Sequence, residues 1–207
     1  MVVMTNLPKI DFTNATFAHR LRHGGGKGQA LAKAVGLSKG RNPSIVDATA
    51  GLGHDGFMLA HLGASITLVE RSTFVAKALA LALERAKNAA PLFSDPAGRI
   101  TLLIGDAKDL LNDLSADVIY IDPMHPKRSK SALVKQPMRE LRELVGPDAD
   151  SGELIKVGLL IARQRVVVKW PRTAALPDGL PEPSYEIIGK TTRYCIFLTR
   201  EIESKPD

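Results

Sequence analysis

The residues whose types and spacing most clearly predict ligand binding form a glycine-rich turn after a short apolar, β-branched stretch. The turn reads Asp47-Ala-Thr-Ala-Gly51-Leu-Gly53-His-Asp-Gly56. Glycines allow the backbone to turn sharply and to approach a ligand without Cβ atoms in the way, and a helix that begins here offers free N–H groups. Glu70 lies 19 residues beyond Gly51, at the end of the next apolar stretch, where a carboxylate can bind ribose hydroxyls. The spacing predicts a site for a nucleotide-containing ligand, although such turns also serve packing.

Two cofactors share this arrangement, NAD(P) and S-adenosylmethionine. Asp47 stands four residues before the first glycine, and the D-x-x-x-G-x-G pattern resembles motif I of class I methyltransferases. The resemblance favours S-adenosylmethionine and implies that Gly51 and Gly53 leave room for its methionine moiety while Glu70 holds its ribose. An NAD-dependent oxidoreductase is the less favoured alternative.

A further cofactor contact is predicted at Gly105-Asp106-Ala107, directly after the third predicted strand, residues 99–104. Methyltransferases of this class usually place an acid or an amide near the adenine at this point, so Asp106 is predicted to bind the cofactor. The alternative role for Asp106 is to cap the N-terminus of the helix that follows.

Candidate catalytic residues follow the apolar fourth predicted strand, residues 117–121, in the sequence Asp122-Pro123-Met124-His125-Pro126. This sequence resembles the [DNS]-P-P-[YFW] signature of methyltransferases that modify exocyclic amines. Such an amine is a poor nucleophile because its lone pair is delocalised into the ring. Asp122 can accept one amine hydrogen and the Pro123 carbonyl the other, which orients the nitrogen and favours its developing positive charge. His125 stands where the signature places a base-stacking aromatic residue, and a turn-forming Asp-Pro is the alternative role for Asp122.

Alternating apolar strands and helices must position these residues. The predicted helices cover 54–62, 73–90, 107–114, part of 131–145 and 151–162. The predicted strands cover 44–49, 65–70, 99–104, 117–121, 165–169, 185–188 and 194–198. This order predicts an α/β fold of the Rossmann-like class I methyltransferase type, with a doubly wound, seven-stranded, mostly parallel sheet and a C-terminal antiparallel hairpin. Ligands of such sheets bind at the carboxyl ends of the strands, where the predicted site residues lie.

Composition narrows the class of protein further. The 207 residues include 28 Lys and Arg against 22 Asp and Glu, a formal charge of +6. Cys195 is the single cysteine, which excludes an intramolecular disulfide, and the five histidines show no metal-ligand spacing, so no metal site is predicted. No apolar run reaches the roughly 18 residues of a membrane span, and no signal-peptide pattern opens the chain. We therefore expect a cytoplasmic protein without membrane contact.

Basic residues concentrate in two stretches that we predict to contact RNA phosphates. Between Lys9 and Arg41 the one acid is Asp11. Residues 1–43 are accordingly predicted to form a basic N-terminal extension or lid, and residues 44–207 the methyltransferase domain. The predicted RNA-binding residues are Arg20, Arg22, Lys27, Lys127, Arg128, Lys130 and Lys135. The alternative for each stretch is a solvated surface.

Several motifs together resemble the RsmJ family of bacterial ribosomal RNA small-subunit methyltransferases, which make N2-methylguanosine in 16S rRNA. The matching segments are 24–28, 32–36, 47–53, 122–124, 130–135, 144–148 and 165–169. The resemblance implies cofactor contacts from His54, Asp55, Glu70, Arg71, Asp106, Ala107, Lys108 and Asp122. Two residues depart from the family pattern, because His54 stands in place of Arg and His125 in place of Phe.

The predicted function is methyl transfer from S-adenosylmethionine to the exocyclic N2 of a guanine in 16S rRNA, with the rRNA or the small ribosomal subunit as partner. An N6-adenine methyltransferase is an alternative, because the motif at Asp122 recognises an amine and not a particular base. A non-catalytic RNA-binding module with a retained nucleotide pocket is the alternative from another class, and His125 is the feature that favours it.

Overall fold

The computed structural model describes residues 8–124 and 150–199. Seven strands form one sheet in the order β3-β2-β1-β4-β5-β7-β6. The strands are β1 (Ser44–Asp47), β2 (Ser65–Glu70), β3 (Ile100–Ile104), β4 (Val118–Ile121), β5 (Arg165–Pro171), β6 (Tyr185–Ile188) and β7 (Thr192–Leu198). The pairs among β1 to β5 are parallel, and β7 runs antiparallel to both β5 and β6. The predicted seven-stranded sheet with its C-terminal antiparallel hairpin is confirmed.

Helices cover both faces of this sheet. They are α1 (Ala15–His23), α2 (Ala30–Ala34), α3 (His54–His61), α4 (Thr73–Lys87), α5 (Pro91–Ala97), α6 (Ala107–Leu110) and α7 (Ser151–Ile161), with short 3-10 turns at Gly26–Gly28 and Leu111–Asp113. All four residues of β4 are buried, as expected of a parallel strand covered on both faces. In the described ranges, no helix is long and apolar enough to span a membrane.

The core has two layers, one on each face of the sheet. On one face, Ile45 and Val118 pack with Phe57 of α3 and Leu79 of α4. On the other face, the residues that follow them in the strands, such as Val46 and Ile119, pack with Leu111 and with Ile155 of α7. The alternation of side chains along each strand sends neighbouring residues to opposite layers.

Residues of the basic N-terminal segment contribute to the first of these layers. Phe12, Phe17 and Leu31 are buried in the same cluster as the sheet residues. Asn14 caps α1 by accepting a hydrogen bond from the Phe17 N–H, a common N-cap arrangement. In the part of this segment that the structure describes, apolar side chains therefore pack on the sheet while the basic ones face outward. The boundary at residue 43 stays a prediction.

Several helix bounds differ from the sequence-based expectations. The long helix ends at Lys87 and not at residue 90, because Pro91 begins a new helix, α5, and the residue before a proline avoids helical geometry. Ala90 accordingly has an extended backbone, with ψ 158°. The helix predicted at 107–114 is divided into α6 and a 3-10 turn. The helix predicted within 131–145 lies outside the described residues.

Candidate active site

The carboxyl ends of β1 and β4 lie side by side at the centre of the sheet. The chain enters the sheet at β1, continues outward through β2 and β3, and returns to the other side of β1 with β4. This reversal creates the crevice in which doubly wound sheets bind ligands. Asp47 ends β1 and Asp122 directly follows β4, so the predicted cofactor loop and the predicted catalytic motif meet there.

The glycine turn after β1 is tightly packed. Gly53 has φ 72°, in the left-handed region that favours glycine, and a Cβ atom there would lie 2.7 Å from Leu79 Cδ1. A Cβ atom on Gly56 would lie 2.5 Å from Leu68 Cδ2. These glycines therefore do serve the alternative role, since they allow α3 to pack closely on the sheet. It is compatible with the predicted cofactor role because the same turn lies at the crevice.

Glu70 joins the turns that follow β1 and β2. Its carboxylate is buried, with Oε2 accepting a hydrogen bond from the Gly51 N–H at 2.8 Å and Oε1 accepting one from the Ser72 N–H at 2.8 Å. Each carboxylate oxygen can accept more than one hydrogen bond. The predicted contact with ribose hydroxyls thus stays open to Glu70, and its role in fastening the Gly51 turn is one that the sequence motif did not indicate.

Asp47 is the most buried acid of the crevice, with 2% of its surface exposed. Its Oδ1 accepts a hydrogen bond from the Thr49 N–H at 3.1 Å. Burial raises the pKa of Asp47 to about 8; the Thr49 hydrogen bond opposes that rise, and the charges of Asp55 and Asp122 add to it. A buried carboxylate beside two others is the kind of perturbed group that concentrates at functional sites.

Asp122 is held from two sides at the end of β4. Its N–H donates to Thr49 Oγ1 at 2.7 Å, which links the catalytic motif to the glycine turn. Its Oδ2 accepts a hydrogen bond from Lys169 Nζ at 2.8 Å. About a third of the side chain, 36%, is exposed. Pro123, whose backbone carbonyl is predicted to accept the second amine hydrogen, follows Asp122 directly in the chain.

Lys169 is a site residue that the sequence analysis missed. Its ammonium bridges Asp122 and Asp55, with Nζ 2.8 Å from Oδ2 of each. The buried Tyr120 hydroxyl donates to the same Asp55 oxygen at 2.8 Å. The available signal was the position of Lys169, a charged residue at the end of the apolar run Val166–Val168. We call Asp55, Tyr120, Asp122 and Lys169 the Lys169 network.

The charges of the Lys169 network stabilise one another. Burial alone would lower the pKa of Lys169, but the carboxylates of Asp122 and Asp55 overcome that effect and raise it. Burial alone would raise the pKa of Asp55, but Lys169 and the Tyr120 hydroxyl outweigh it and lower that pKa. Asp55 and Lys169 therefore form a charged pair.

A second ionic cluster contains two other predicted cofactor contacts. Arg71 Nη1 lies 3.2 Å from Asp150 Oδ1, and Lys108 Nζ lies 2.9 Å from Asp150 Oδ2. Lys108 also pairs with Glu153 at 2.9 Å. These pairs tie the turns after β2 and β3 to the beginning of α7. The structure thus gives Arg71 and Lys108 protein partners, and their cofactor contacts stay predictions.

The remaining predicted cofactor residues have structural roles in the free protein. Asp106 caps α6 by accepting a hydrogen bond from the Lys108 N–H at 2.9 Å, the alternative considered for it. Ala107 is buried. The His54 ring packs near Phe12 and Phe17, at centroid distances of 6.0 and 5.3 Å. Their contacts with the cofactor stay predictions.

The predicted RNA-binding residues differ in their surroundings. Arg22 is exposed on α1. Arg20 Nη2 pairs with Asp55 Oδ1 at 3.4 Å, so this residue reaches the edge of the Lys169 network. Lys27 donates to the Ser38 carbonyl and to Asn42 Oδ1, both at 2.9 Å. The predicted residues His125, Lys127, Arg128, Lys130 and Lys135 lie outside the described residues.

Cys195 in β7 and Trp170 in β5 are buried. The Trp170 Nε1 donates to the Ala175 carbonyl at 2.9 Å. Among residues 8–124 and 150–199, no three His, Cys, Asp or Glu side chains are grouped to hold a metal ion.

Comparisons with known proteins indicate one family. Residues 4–199 match the family described as "Putative SAM-dependent methyltransferase". The ribosomal RNA small subunit methyltransferase J of Agrobacterium fabrum is 53% identical over 189 residues, covering 91% of this chain and 91% of that protein. The protein of the same name from Pseudomonas aeruginosa is 47% identical over 192 residues, covering 91% of this chain and 73% of that protein.

A solved structure supports the same assignment. The crystal structure of a SAM-dependent methyltransferase from Neisseria gonorrhoeae is similar with a TM-score of 0.72 and 34% identity, covering 96% of this chain and 77% of that chain. The predicted class I fold, enzyme class and cofactor are thereby confirmed. The chain belongs to the ribosomal RNA small subunit methyltransferase J family of S-adenosylmethionine-dependent methyltransferases.

Proposed function

We propose that this chain methylates the exocyclic N2 of a guanine in the RNA of the small ribosomal subunit, with Asp122 and Pro123 as its catalytic residues. The observation that carries this proposal is the fixed carboxylate of Asp122 at the central crevice, followed directly by Pro123. The names of the curated relatives support the substrate class. A ribosomal RNA substrate would place the activity in the cytoplasm.

The acids of the crevice fit the cofactor. Asp47, Asp55 and Asp122 approach one another closely enough for their charges to interact, and Lys169 is the cation within their network. A ligand that carries positive charge on sulfur and on its amino group would favour the ionised form of Asp47, whose pKa burial raises to about 8. Glu70 offers buried carboxylate oxygens to ribose hydroxyls at the end of β2. The predicted cofactor residues thus supply the donor and acceptor types that S-adenosylmethionine requires.

The amine of the target base would be held by two acceptors. The Asp122 carboxylate accepts one of its hydrogens and the Pro123 carbonyl accepts the other, which directs the nitrogen lone pair toward the cofactor. When bound, S-adenosylmethionine supplies a methyl group that the nitrogen takes as the carbon–sulfur bond breaks, its electron pair staying on sulfur and the amine proton leaving to water. The negative charge of Asp122 stabilises the positive charge that develops on the nitrogen. His125 is proposed to stack on the flipped base.

RNA phosphates would contact the basic surface beside the crevice. Arg22 is exposed on α1, and Arg20 is exposed enough to reach solvent while it touches Asp55. Lys27 already binds two oxygens of the protein, so its contribution to RNA affinity should be smaller than that of Arg22. Lys127, Arg128, Lys130 and Lys135 are proposed to contact RNA phosphates as well.

The experiment that tests the function is a product assay. The protein is incubated with labelled S-adenosylmethionine and with either naked 16S rRNA or small subunits from a strain that lacks the endogenous modification, and the digested nucleosides are identified by mass spectrometry. N2-methylguanosine is the expected product. N6-methyladenosine would establish the adenine alternative, and cofactor and RNA binding without turnover would establish the binding module.

A further inference from the structure

We propose that Lys169 is a positioning residue for methyl transfer, which fixes the Asp122 carboxylate in the direction that the amine requires and is itself anchored by Asp55. The inference deepens the proposed function and rests on it. It assigns a role to a lysine that neither the glycine turn nor the motif at Asp122 includes.

The sheet register brings the two side chains together. In the parallel β4–β5 pair, Tyr120 is opposite Val167. Lys169 lies two residues beyond Val167 in β5, and Asp122 lies two residues beyond Tyr120, directly after the end of β4. Both therefore lie on the face of the sheet that Tyr120 and Val167 share. Nζ reaches Asp122 Oδ2 at 2.8 Å, which restricts rotation of the carboxylate and sets the direction of its other oxygen.

Asp55 fixes the position of the lysine. Its Oδ2 accepts hydrogen bonds from Lys169 Nζ and from the Tyr120 hydroxyl, both at 2.8 Å. Tyr120 is fully buried in the core, so its hydroxyl is a rigid reference point. The Lys169 ammonium is consequently linked through Asp55 to the buried Tyr120 hydroxyl, and it binds the Asp122 carboxylate directly.

The charge of Asp55 has a second consequence for the reaction. The target nitrogen becomes positively charged during methyl transfer, and an uncompensated ammonium nearby would oppose this. Asp55 offsets the charge of Lys169, so the negative charge of Asp122 remains to stabilise the nitrogen. Because both carboxylates raise the pKa of Lys169, the lysine stays charged throughout the neutral pH range.

The test replaces the ammonium while keeping most of the apolar stem, in Lys169→Met. Single-turnover methylation at saturating S-adenosylmethionine and RNA should slow by about 10- to 100-fold, the usual effect of a misplaced reacting group. Lys169→Arg keeps a positive charge and should retain more activity than Lys169→Met. Lys87→Met, an exposed lysine at the end of α4, is the matched control and should react at the wild-type rate.

A double-mutant cycle shows whether the lysine acts through Asp122. In the Asp122→Asn background the carboxylate charge is already gone, so adding Lys169→Met should slow single-turnover methylation by less than about threefold further. If the two substitutions instead slow methyl transfer by independent factors that multiply, Lys169 has only a general structural role and the proposal is overturned. A wild-type rate in Lys169→Met would also overturn it. If that variant does not fold, the same cycle is run with Lys169→Arg.

A measurement without turnover separates this inference from the proposed function. The Cε chemical shift of Lys169, observed by NMR of lysines labelled with carbon-13 at Cε, should change in Asp122→Asn because one paired charge is lost, while the shift of Lys87 should stay the same. An unchanged Lys169 shift would overturn the Lys169–Asp122 contact. If the wild-type protein methylates no RNA while this shift changes as expected, the proposed function fails and the contact stands.

Discussion

Strand β4 is flanked by two aspartates whose surroundings differ. Asp117, at the amino end, accepts hydrogen bonds from the Ser44 N–H, the Ser44 hydroxyl and Gln164 Nε2, at 2.9 to 3.0 Å. Asp122, at the carboxyl end, is bound to Lys169, which it shares with Asp55. The amino-end acid is held mainly by uncharged groups, whereas the carboxyl-end acid belongs to a charged cluster in which two aspartates share one lysine.

The pKa directions show what this difference means energetically. Burial would raise the pKa of Asp117, but the two Ser44 hydrogen bonds, Arg163 and Gln164 outweigh it and lower that pKa. At the carboxyl edge, burial raises the pKa of Asp47 to about 8. The fold therefore stabilises ionised Asp117 at the amino edge and opposes ionisation of Asp47 at the carboxyl edge, where Lys169 holds Asp55 ionised. A buried acid whose own charge is disfavoured, such as Asp47, would gain from binding a ligand of opposite charge.

The largest effect is expected at the carboxyl end of β4. Asp122→Ala should fold, because the side chain lies at a strand end and 36% of it is exposed. Methyl transfer at saturating cofactor and RNA should fall by about a hundredfold or more, since the amine loses an acceptor and its orientation. Asp122→Asn keeps an oxygen acceptor and should retain more activity. A wild-type single-turnover rate in Asp122→Ala would leave Asp122 a structural turn residue.

Glu70→Ala should weaken S-adenosylmethionine binding by about 1–3 kcal/mol, because ligand hydroxyls lose their buried acceptor. The substitution also removes the acceptor of the Gly51 and Ser72 N–H groups, so the thermal midpoint should fall as well. Titration calorimetry on Glu70→Gln, which keeps one acceptor oxygen, sharpens the comparison. Unchanged cofactor affinity in both folded variants would remove Glu70 from the ribose.

Asp117→Ala provides the contrast at the amino end. Loss of the acceptor for Ser44 and Gln164 should lower the free energy of unfolding by about 1–2 kcal/mol, because Asp117 is only partly buried. The methyl-transfer rate of the folded variant should equal that of the wild type. Denaturant unfolding and single-turnover kinetics measure the two quantities, and a large loss of rate without loss of stability would contradict the division between the edges.

Sequence patterns predicted the sheet, and they identified the strand ends that carry the candidate site, because both depend on local signals. The β-branched run before Asp47 and the glycines after it identify a strand and its turn, and Asp122-Pro123 identifies the end of β4. Lys169 was missed because its role arises from the parallel register of β4 and β5, which brings together residues 47 positions apart in the chain. Helix α1 was missed for a related reason, since its apolar face is small and gains its stability from packing on Phe57 and the sheet.

The smallest effect concerns pH and the acid at the end of β1. The folded-state pKa of Asp47, about 8, lies above its unfolded value of 3.8, so the folded protein binds more protons between these values and loses stability as pH rises from about 4 to 8. Asp47→Asn removes this loss, so the thermal midpoint of the variant should rise relative to that of the wild type as pH increases from 5 to 8. The contribution of Asp117 to stability depends on pH in the opposite direction, because folding lowers its pKa. That contribution is present above the unfolded pKa of Asp117 and is lost as pH falls through its folded pKa. Thermal melts of wild type and Asp47→Asn from pH 5 to 8 test this, and parallel pH profiles would show that Asp47 is ionised in the folded protein without cost.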